Sequence, residues 1–494
     1  MTSSNKRDGT LEDSEGNDPA EFSGGQMTPT SLRSLYVVLD VFLSIVAGAL
    51  ALLIWNLVGK HPISISWFLN TLHWLPILSA GTLLTFALSG CYMTSSSIHF
   101  RASFFQVLRG LSVLFVLYYT IYFFAPRGAL PRLVVLFYAL FAFPLFITAR
   151  RMITWGTQRP ELQQNAILLS SSEELSRVKK LLQDHNLSSI RLVGVYPVGE
   201  NRDFEPEPSS FEPDHPLKIL DPDRDLLRYA RRFNAGDVVI FRNRTEFPDK
   251  VLNQLVDCHQ KGMSITSGLE LIEELSGRLP LSYAREHPER LFPSRRHEGL
   301  FYRTQKRSMD VAGALVGLLV FVPLFPFLAA GIKLTSTGPV FFQQERTGKF
   351  GDPFVLIKLR TMVENAEEES GAQWAQEDDP RITSFGKFLR LTHLDEFPQF
   401  WNVLKGDMSL VGPRPERPEI EAELTDPNPF FKLRHSVKPG VTGWATIKNQ
   451  YVDSLEKAER RLEYDVYYIE HQSIWLDLHI LFETIWELAT FGGR

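Results

Sequence analysis

The chain has 494 residues, of which 44% are hydrophobic and 22% charged, with a formal net charge of -5. That length allows roughly three domains of about 150 residues each, and the near balance of charge leaves no global footprint for nucleic acid, so an anion site must come from local basic clusters. The two cysteines, Cys91 and Cys258, have no metal-type spacing around them, which argues against a disulfide framework or a cysteine zinc site.

Residues 1–30 are polar, without the basic start and apolar core of a secretion signal, and are expected to form a disordered tail. Within 31–151 four apolar stretches follow, at about 35 to 59 (LYVVLDVFLSIVAGALALLIWNLVG), 73 to 92, 104 to 125 and 130 to 149. Each approaches the ~20 residues that cross a bilayer, and four in succession predict membrane spans rather than buried core helices. Arg33, Arg101, Arg150 and Arg151 on one side, against Lys60, Arg127 and Arg132 on the other, place both ends of the region in the cytoplasm. Asp40, about one turn into the first span, is expected to reach interfacial water.

From 160 to 290 short β-rich runs, AILL at 166–169, IRLVGVY at 190–196 and DVVIF at 237–241, alternate with helical stretches such as EELSRVKKLLQDH. That alternation predicts a parallel, Rossmann-like sheet of βα units. The first turn reads LSSSEE where a dinucleotide site would carry a glycine-rich fingerprint, so a structural, dimerising or regulatory role is expected instead of cofactor binding. DPDRD at 221–225 precedes the helical LLRYARRF and suits a helix cap better than a metal site.

A basic linker over 291–305 leads to the apolar stretch VAGALVGLLVFVPLFPFLAAGI at 311–332. Pro323 and Pro326 sit in its middle, where each removes a backbone donor, so a break at Pro323 is expected. Basic residues flank both ends, Arg303, Lys306 and Arg307 before and Lys333 after, which favours a re-entrant hairpin over 310–333 with both ends in the cytoplasm.

Beyond the hairpin, basic residues recur beside glycine and proline turns: Arg346, Lys358, Arg360, Lys387, Arg390, Lys405, Arg414, Arg434 and Lys438. Backbone amides and guanidinium groups converging at such turns make a phosphate-binding pocket. Asp395 and Glu396 lie in FGKFLRLTHLDEFPQFWNVL, whose apolar spacing is helical with Pro398 limiting its regularity. Two acids near arginines offer either a nucleophile with a helper or a Mg2+ ligand pair, while an exposed acidic pair on a helix surface is the plainer alternative. The stretch 458–491 alternates charge with Tyr467, Tyr468, Trp475 and Trp486 and is expected to form amphipathic helices at the membrane surface.

Seven pieces in order carry a resemblance: KRSMDV (306–311), the proline at 323, GPVFFQQERTGKFG (338–351), LRTM (359–362), LDEFPQFWNVLKGDMSLVGPRP (394–415), LRHSVKPGVTGWA (433–445) and LEYDVYYIE (462–470). Residues 306–494 thereby resemble the catalytic domain of the bacterial polyprenyl-phosphate sugar-1-phosphate transferases, the monotopic phosphoglycosyl transferase family. With the four spans and the Rossmann-like domain upstream, the chain is similar to the long, undecaprenyl-phosphate galactose phosphotransferase-like form. The resemblance implies a multi-pass protein of the bacterial inner membrane with its site on the cytoplasmic face, Mg2+ as cofactor, and a nucleoside-diphosphate sugar and undecaprenyl phosphate as substrates. It makes Asp395 the nucleophile that forms an aspartyl phospho-sugar, with Glu396 as Mg2+ ligand beside Asp395 or as base. It puts Arg390 near the polyprenyl phosphate, and Pro413, Arg414 and Pro415 on the nucleotide side, with Lys358, Arg360, Arg434 and Lys438 as further substrate-binding candidates. Val322 stands where some members place a serine before the helix-breaking proline, and Thr446 where a glutamine is frequent.

The implied activity opens a surface-glycan pathway, such as O-antigen, capsule or exopolysaccharide synthesis. A membrane glycosyltransferase that moves only the sugar is the rival enzyme, and a non-catalytic scaffold is the rival of another class. The sugar and the duty of the middle domain are not legible, and the sequence leaves room for a homodimer through the spans or that domain.

Overall fold

A computed structural model describes residues 29–58, 74–93, 100–124, 133–157, 164–171, 190–198, 218–241, 247–281, 299–364, 379–448 and 454–490. The expected tail, the helix expected at 173–185 and most of the expected linker lie outside them.

Helices α1 (Pro29–Val58), α2 (Trp74–Leu88), α3 (Phe100–Phe124) and α4 (Val134–Thr157) pack around one apolar core that includes Leu52, Phe86, Tyr138 and Phe146. Apolar side chains such as Phe42, Phe105, Phe123 and Leu140 also point outward, as lipid-facing helices require. Among the described residues four helices are long and apolar enough to cross a membrane: α1, α3, α4 and, far downstream, α8 (Leu300–Thr335). Of the second stretch, expected as a span over 73–92, the described helix covers Trp74–Leu88, and the chain turns just beyond it at Gly90 with φ at +75°. Asp40 does not reach water: it is buried, paired to Arg150 at 2.5 Å and bonded by the Tyr92 hydroxyl at 2.9 Å. An unpaired carboxylate at that depth would be costly, and this pairing is what lets the residue sit there.

The middle region holds five parallel strands, β1 (Gln164–Ser170), β2 (Ile190–Pro197), β3 (Lys218–Ile219), β4 (Ala235–Phe241) and β5 (Ser264–Ser267), in the order β3-β2-β1-β4-β5. Helices α5 (Leu226–Phe233), α6 (Asp249–Gln260) and α7 (Gly268–Ser276) accompany them. The DPDRD segment works as a cap, since Asp225 accepts from Leu227 N at 3.0 Å.

In the C-terminal domain an antiparallel hairpin, β6 (Phe341–Thr347) and β7 (Pro353–Leu359), and a parallel pair, β8 (Ser409–Val411) and β9 (Gly440–Thr442), are held by short helices, α11 (Pro418–Thr425) and α12 (Trp444–Lys448) among them. Helix α13 (Leu455–Glu470) is a packed element rather than the expected surface helix, with Leu462 and Val466 in the core shared with the middle sheet. Glu463 on it accepts from Leu281 N at 3.1 Å and pairs with Arg278 at 3.1 Å, which fastens the two regions together. Helix α14 (Ile474–Ala489) fits the amphipathic expectation better, burying Leu476 and Ile480 while exposing Trp475, Ile485 and Leu488.

Helix α8 runs for 36 residues with Pro323 and Pro326 inside it, so the expected break at Pro323 is not an interruption of helical backbone. Packing compensates the two missing donors, because one face is covered along its length. Lys306 at one end donates to Val411 O at 3.0 Å, and Asp310 accepts from Ser409 Oγ and Leu410 N, both at 2.9 Å. Farther along, Phe321 meets Phe397, Phe325 stacks on Phe341, and Lys333 reaches Gly338 O at 2.6 Å. The opposite face, with Leu315, Leu319, Val322 and Phe327, is bare.

Close approach on the covered face depends on glycine. A Cβ at Gly317 would stand 2.4 Å from the Phe400 ring. Gly317→Ala therefore lowers the stability of the detergent-solubilised protein by about 1–3 kcal/mol, read by thermal melting. Gly299→Ala, where a Cβ meets nothing within 4 Å, stays within about 0.5 kcal/mol of the parent.

Candidate active site

The segment around Asp395 is not one irregular helix. Helix α9 (Ser384–Leu391), started by a Thr383 cap that accepts from Gly386 N at 2.9 Å, stops before His393, whose φ is +53°. Leu394–Glu396 then makes a single 3-10 turn, and α10 (Gln399–Lys405) begins after Pro398, whose missing N–H is no loss at a helix start. Asn402 on α10 braces β7, accepting from Ile357 N at 3.2 Å and donating to Val355 O at 2.7 Å. The carboxylates are thus carried by a short turn locked between two helices and a strand.

Glu396 is fully engaged on one oxygen. Its Oε1 accepts from Lys358 Nζ on β7 and from Arg414 on the loop after β8, both at 2.9 Å. Asp395 is 9% exposed and makes no side-chain hydrogen bond or ion pair among the described residues. Burial pushes its carboxyl up to about 6, with the adjacent Glu396 charge adding to the rise and Lys358, Arg390 and His393 opposing it. Glu396 goes the other way, because although burial raises it, Arg414 and Lys358 outweigh burial and hold it well below the usual carboxylate range. Both groups are therefore ionised at neutral pH, one neutralised by partners and one not.

The Pro413-Arg414-Pro415 loop is fastened through carbonyls, as a segment with two prolines must be. Pro413 O accepts from Gly440 N at 2.9 Å, Arg414 O from Arg434 at 2.9 Å and Pro415 O from Arg346 at 3.2 Å. Gly440 allows this approach, since a Cβ there would lie 2.1 Å from Gly412 N. A narrow pocket opens beside Glu396, walled by Arg346, Lys358, Gln399 and Arg414 over Leu356 and Pro415.

The other basic candidates lie around this centre rather than in it. Arg390 donates to Thr361 Oγ1 at 3.0 Å and acts electrostatically on Asp395. Arg360 points to the turn after α8, 3.4 Å from Thr337 O. Lys438 and Arg307 flank Gly406 at the end of α10, and burial together with the Arg307 charge lowers the lysine's pKa. Arg434, expected at the substrate, is 6% exposed and underpins the loop from below, paired with Asp465 at 2.8 Å and lying 3.7 Å from Glu416.

The pattern of the family described as "Bacterial sugar transferase" matches residues 301–490, which contain all of these groups. A putative undecaprenyl-phosphate N-acetylgalactosaminyl 1-phosphate transferase of Bacillus subtilis is 44% identical over 164 residues, 33% of this chain and 80% of that protein. This chain belongs to the bacterial sugar transferase family. A UDP-N-acetylgalactosamine-undecaprenyl-phosphate N-acetylgalactosaminephosphotransferase of Aeromonas hydrophila is 41% identical over 227 residues, 46% of this chain and 52% of the relative. A UDP-glucose:undecaprenyl-phosphate glucose-1-phosphate transferase of Escherichia coli K12 is 43% identical over 187 residues, 37% of this chain and 40% of the relative. The chain thus spans about half or less of the length of these two relatives.

Sequence reasoning missed two features of that domain. Gln399 escaped because it carries no charge, although its position three residues after Glu396 places it one turn on. The support under the loop, Arg434 with Asp465 and Glu416 with Arg461 at 3.6 Å, joins residues too distant in sequence to read as partners.

These placements separate two arginines by outcome. Arg434→Met leaves Asp465 buried without its partner and lowers thermal stability by about 3–5 kcal/mol. Arg414→Met keeps the melting temperature within about 2 °C, as a partly exposed position allows, yet strips the pocket wall and weakens nucleotide binding in calorimetry.

Proposed function

We propose that the protein transfers a sugar 1-phosphate from a nucleoside-diphosphate sugar, of the UDP class, to undecaprenyl phosphate, as the first membrane step of surface-glycan synthesis. The observation that carries this is Asp395, a buried and ionised carboxylate with no hydrogen bond or ion pair among the described residues, inside the span matched by the family. The relatives' printed names pair UDP sugars with undecaprenyl phosphate, which supports the same two substrates here.

In the first step an Asp395 oxygen attacks the sugar-linked phosphorus in line. The bond from that phosphorus to the bridging oxygen breaks, and the nucleoside monophosphate leaves with the electron pair. In the second, a phosphate oxygen of the lipid attacks the same phosphorus and Asp395 departs as carboxylate. Glu396, held ionised by two cations, is too weak a base to take a proton, so its part is to anchor Lys358 and Arg414 against the phosphates. The carboxylate pair is compatible with Mg2+, because Asp395 has both oxygens available and Mg2+ needs only one or two carboxylates beside substrate phosphates and water. Asp395 and Glu396 would hold the ion, which when bound neutralises diphosphate charge.

The long covered face of α8 supports a re-entrant arrangement. Elements of one domain touch the helix from Lys306 to Lys333, so a straight crossing would carry that domain through the bilayer as well. Both ends on the cytoplasmic side, with Leu319, Val322 and Phe327 in lipid, keep Asp395 at the boundary where a soluble donor and a lipid acceptor meet. The parallel strand order of the middle region supports its Rossmann-like classification.

Asp395→Asn keeps the shape and removes the nucleophile. The expected result is at least about a 1,000-fold loss of UMP release and, by mass spectrometry after donor alone, no sugar-phosphate adduct on a residue that carries one in the parent. Near-parental turnover by this variant sinks the covalent scheme, and release of UDP in place of UMP supports the glycosyltransferase.

A further inference from the structure

Gln399 is 3% exposed and forms part of the wall of the pocket beside Glu396. Its Nε2 has no hydrogen-bond partner among the described residues. Leaving an amide donor buried and unpaired costs roughly 1–3 kcal/mol, so a donor kept in that state points to a partner that arrives with a ligand. The polar groups around it define that ligand. Arg346, Lys358 and Arg414 are the other polar walls, and Lys358 and Arg414 keep N–H groups beyond those bonded to Glu396. Three cations and one neutral donor around one narrow space make an anion site, and the anionic part of the proposed donor is its diphosphate.

We propose that Gln399 is a further substrate-contacting residue that donates a hydrogen bond to the phosphate departing with the nucleoside. The assignment rests on the two-step reaction above and deepens it by naming which part of the donor sits in this pocket. As the Asp395–phosphorus bond forms and the bridging P–O bond breaks, negative charge grows on the departing phosphate, and the carboxamide N–H stabilises it with no proton transferred. Asp395, Glu396 and Gln399 then form one unit on consecutive turns, serving as nucleophile, anchor of the cations and donor to the leaving group.

The test uses the full-length protein in nanodiscs with Gln399→Met, which matches the length and removes the donor, and Gln399→Glu, which matches the shape and offers only acceptors. UMP affinity is measured by calorimetry, turnover by UMP release, and KM separately for donor and lipid. Because Nε2 of the parent has no hydrogen-bond partner among the described residues, the Met variant is expected to melt no lower than the parent. Its kcat falls about 100-fold, its UMP affinity falls about tenfold or more, and its kcat/KM for undecaprenyl phosphate is unchanged, because only the first of the two steps is touched. The Glu variant binds UMP more weakly still. Met and Glu variants that both bind UMP and turn over within about threefold of the parent overturn the assignment, as does a parent that binds no UMP. A parent that binds UMP but releases none from any nucleotide sugar defeats the proposed reaction instead, and the affinity comparison then judges Gln399 by itself.

Discussion

The site depends on one shared oxygen. Glu396 Oε1 takes Lys358 from β7 and Arg414 from the loop after β8, so a single carboxylate ties the hairpin, the 3-10 turn and the proline loop into one cluster. By accepting both cations it also leaves its neighbour alone. Asp395 keeps a raised pKa and, among the described residues, no hydrogen-bond or ion-pair partner, as the proposed nucleophilic role requires. Under the proposed reaction, swapping the two roles would tie the attacking group to a lysine and an arginine and leave an unpaired acid facing the substrate phosphates. Adjacent positions on a tight turn diverge enough in direction to allow this division, which two residues on a strand face could not reach without a longer loop.

A second constraint is the membrane helix. The site is built on α8 through aromatic contacts from Phe397 and Phe400 on either side of Pro398, so the turn bearing Asp395 is seated on the helix that meets lipid. The bundle adds an independent hold on the same domain. Arg109 of α3 pairs with Glu483 of α14, and His479 meets Leu88 O at 2.7 Å. Two attachments, one along α8 and one through α14, restrict how far the domain can tilt relative to the bundle, and under the proposed re-entrant arrangement that restriction would hold Asp395 at constant depth.

Legibility followed sequence distance. The parallel strands β1, β2 and β4 and the Asp225 cap were readable because alternation and capping are local patterns. Asp395 and Glu396 stood out by type, and the structure joins Glu396 to Lys358 and Arg414, two of the basic residues singled out beforehand. What could not be read is long-range or depends on packing. Arg434 looked like a ligand contact because its partner Asp465 lies 31 residues away, and Asp40 looked wet because Arg150 lies 110 residues away. Pro323 predicted a break by its own chemistry, but tertiary contacts along one face hold the helical backbone through it. Helix α13 has an amphipathic pattern that fits either a membrane surface or a shared core, and only the middle sheet docking on it decides.

The ion network beneath the proline loop raises a question of selection. Arg434 with Asp465 is a buried pair and Arg461 with Glu416 a half-buried one, and a buried pair rarely adds net stability over well-packed apolar residues of the same volume. What an apolar replacement cannot do is donate to Arg414 O. That carbonyl, like those of Pro413 and Pro415, needs a directional N–H to fix the loop, and the loop has few backbone donors of its own. A guanidinium supplies several donors in a rigid plane, and once buried it requires a carboxylate beside it. The chain of requirements thus runs from two prolines to Arg434, and from Arg434 to an acid on α13, making a helix remote from the substrate answerable for where Arg414 stands.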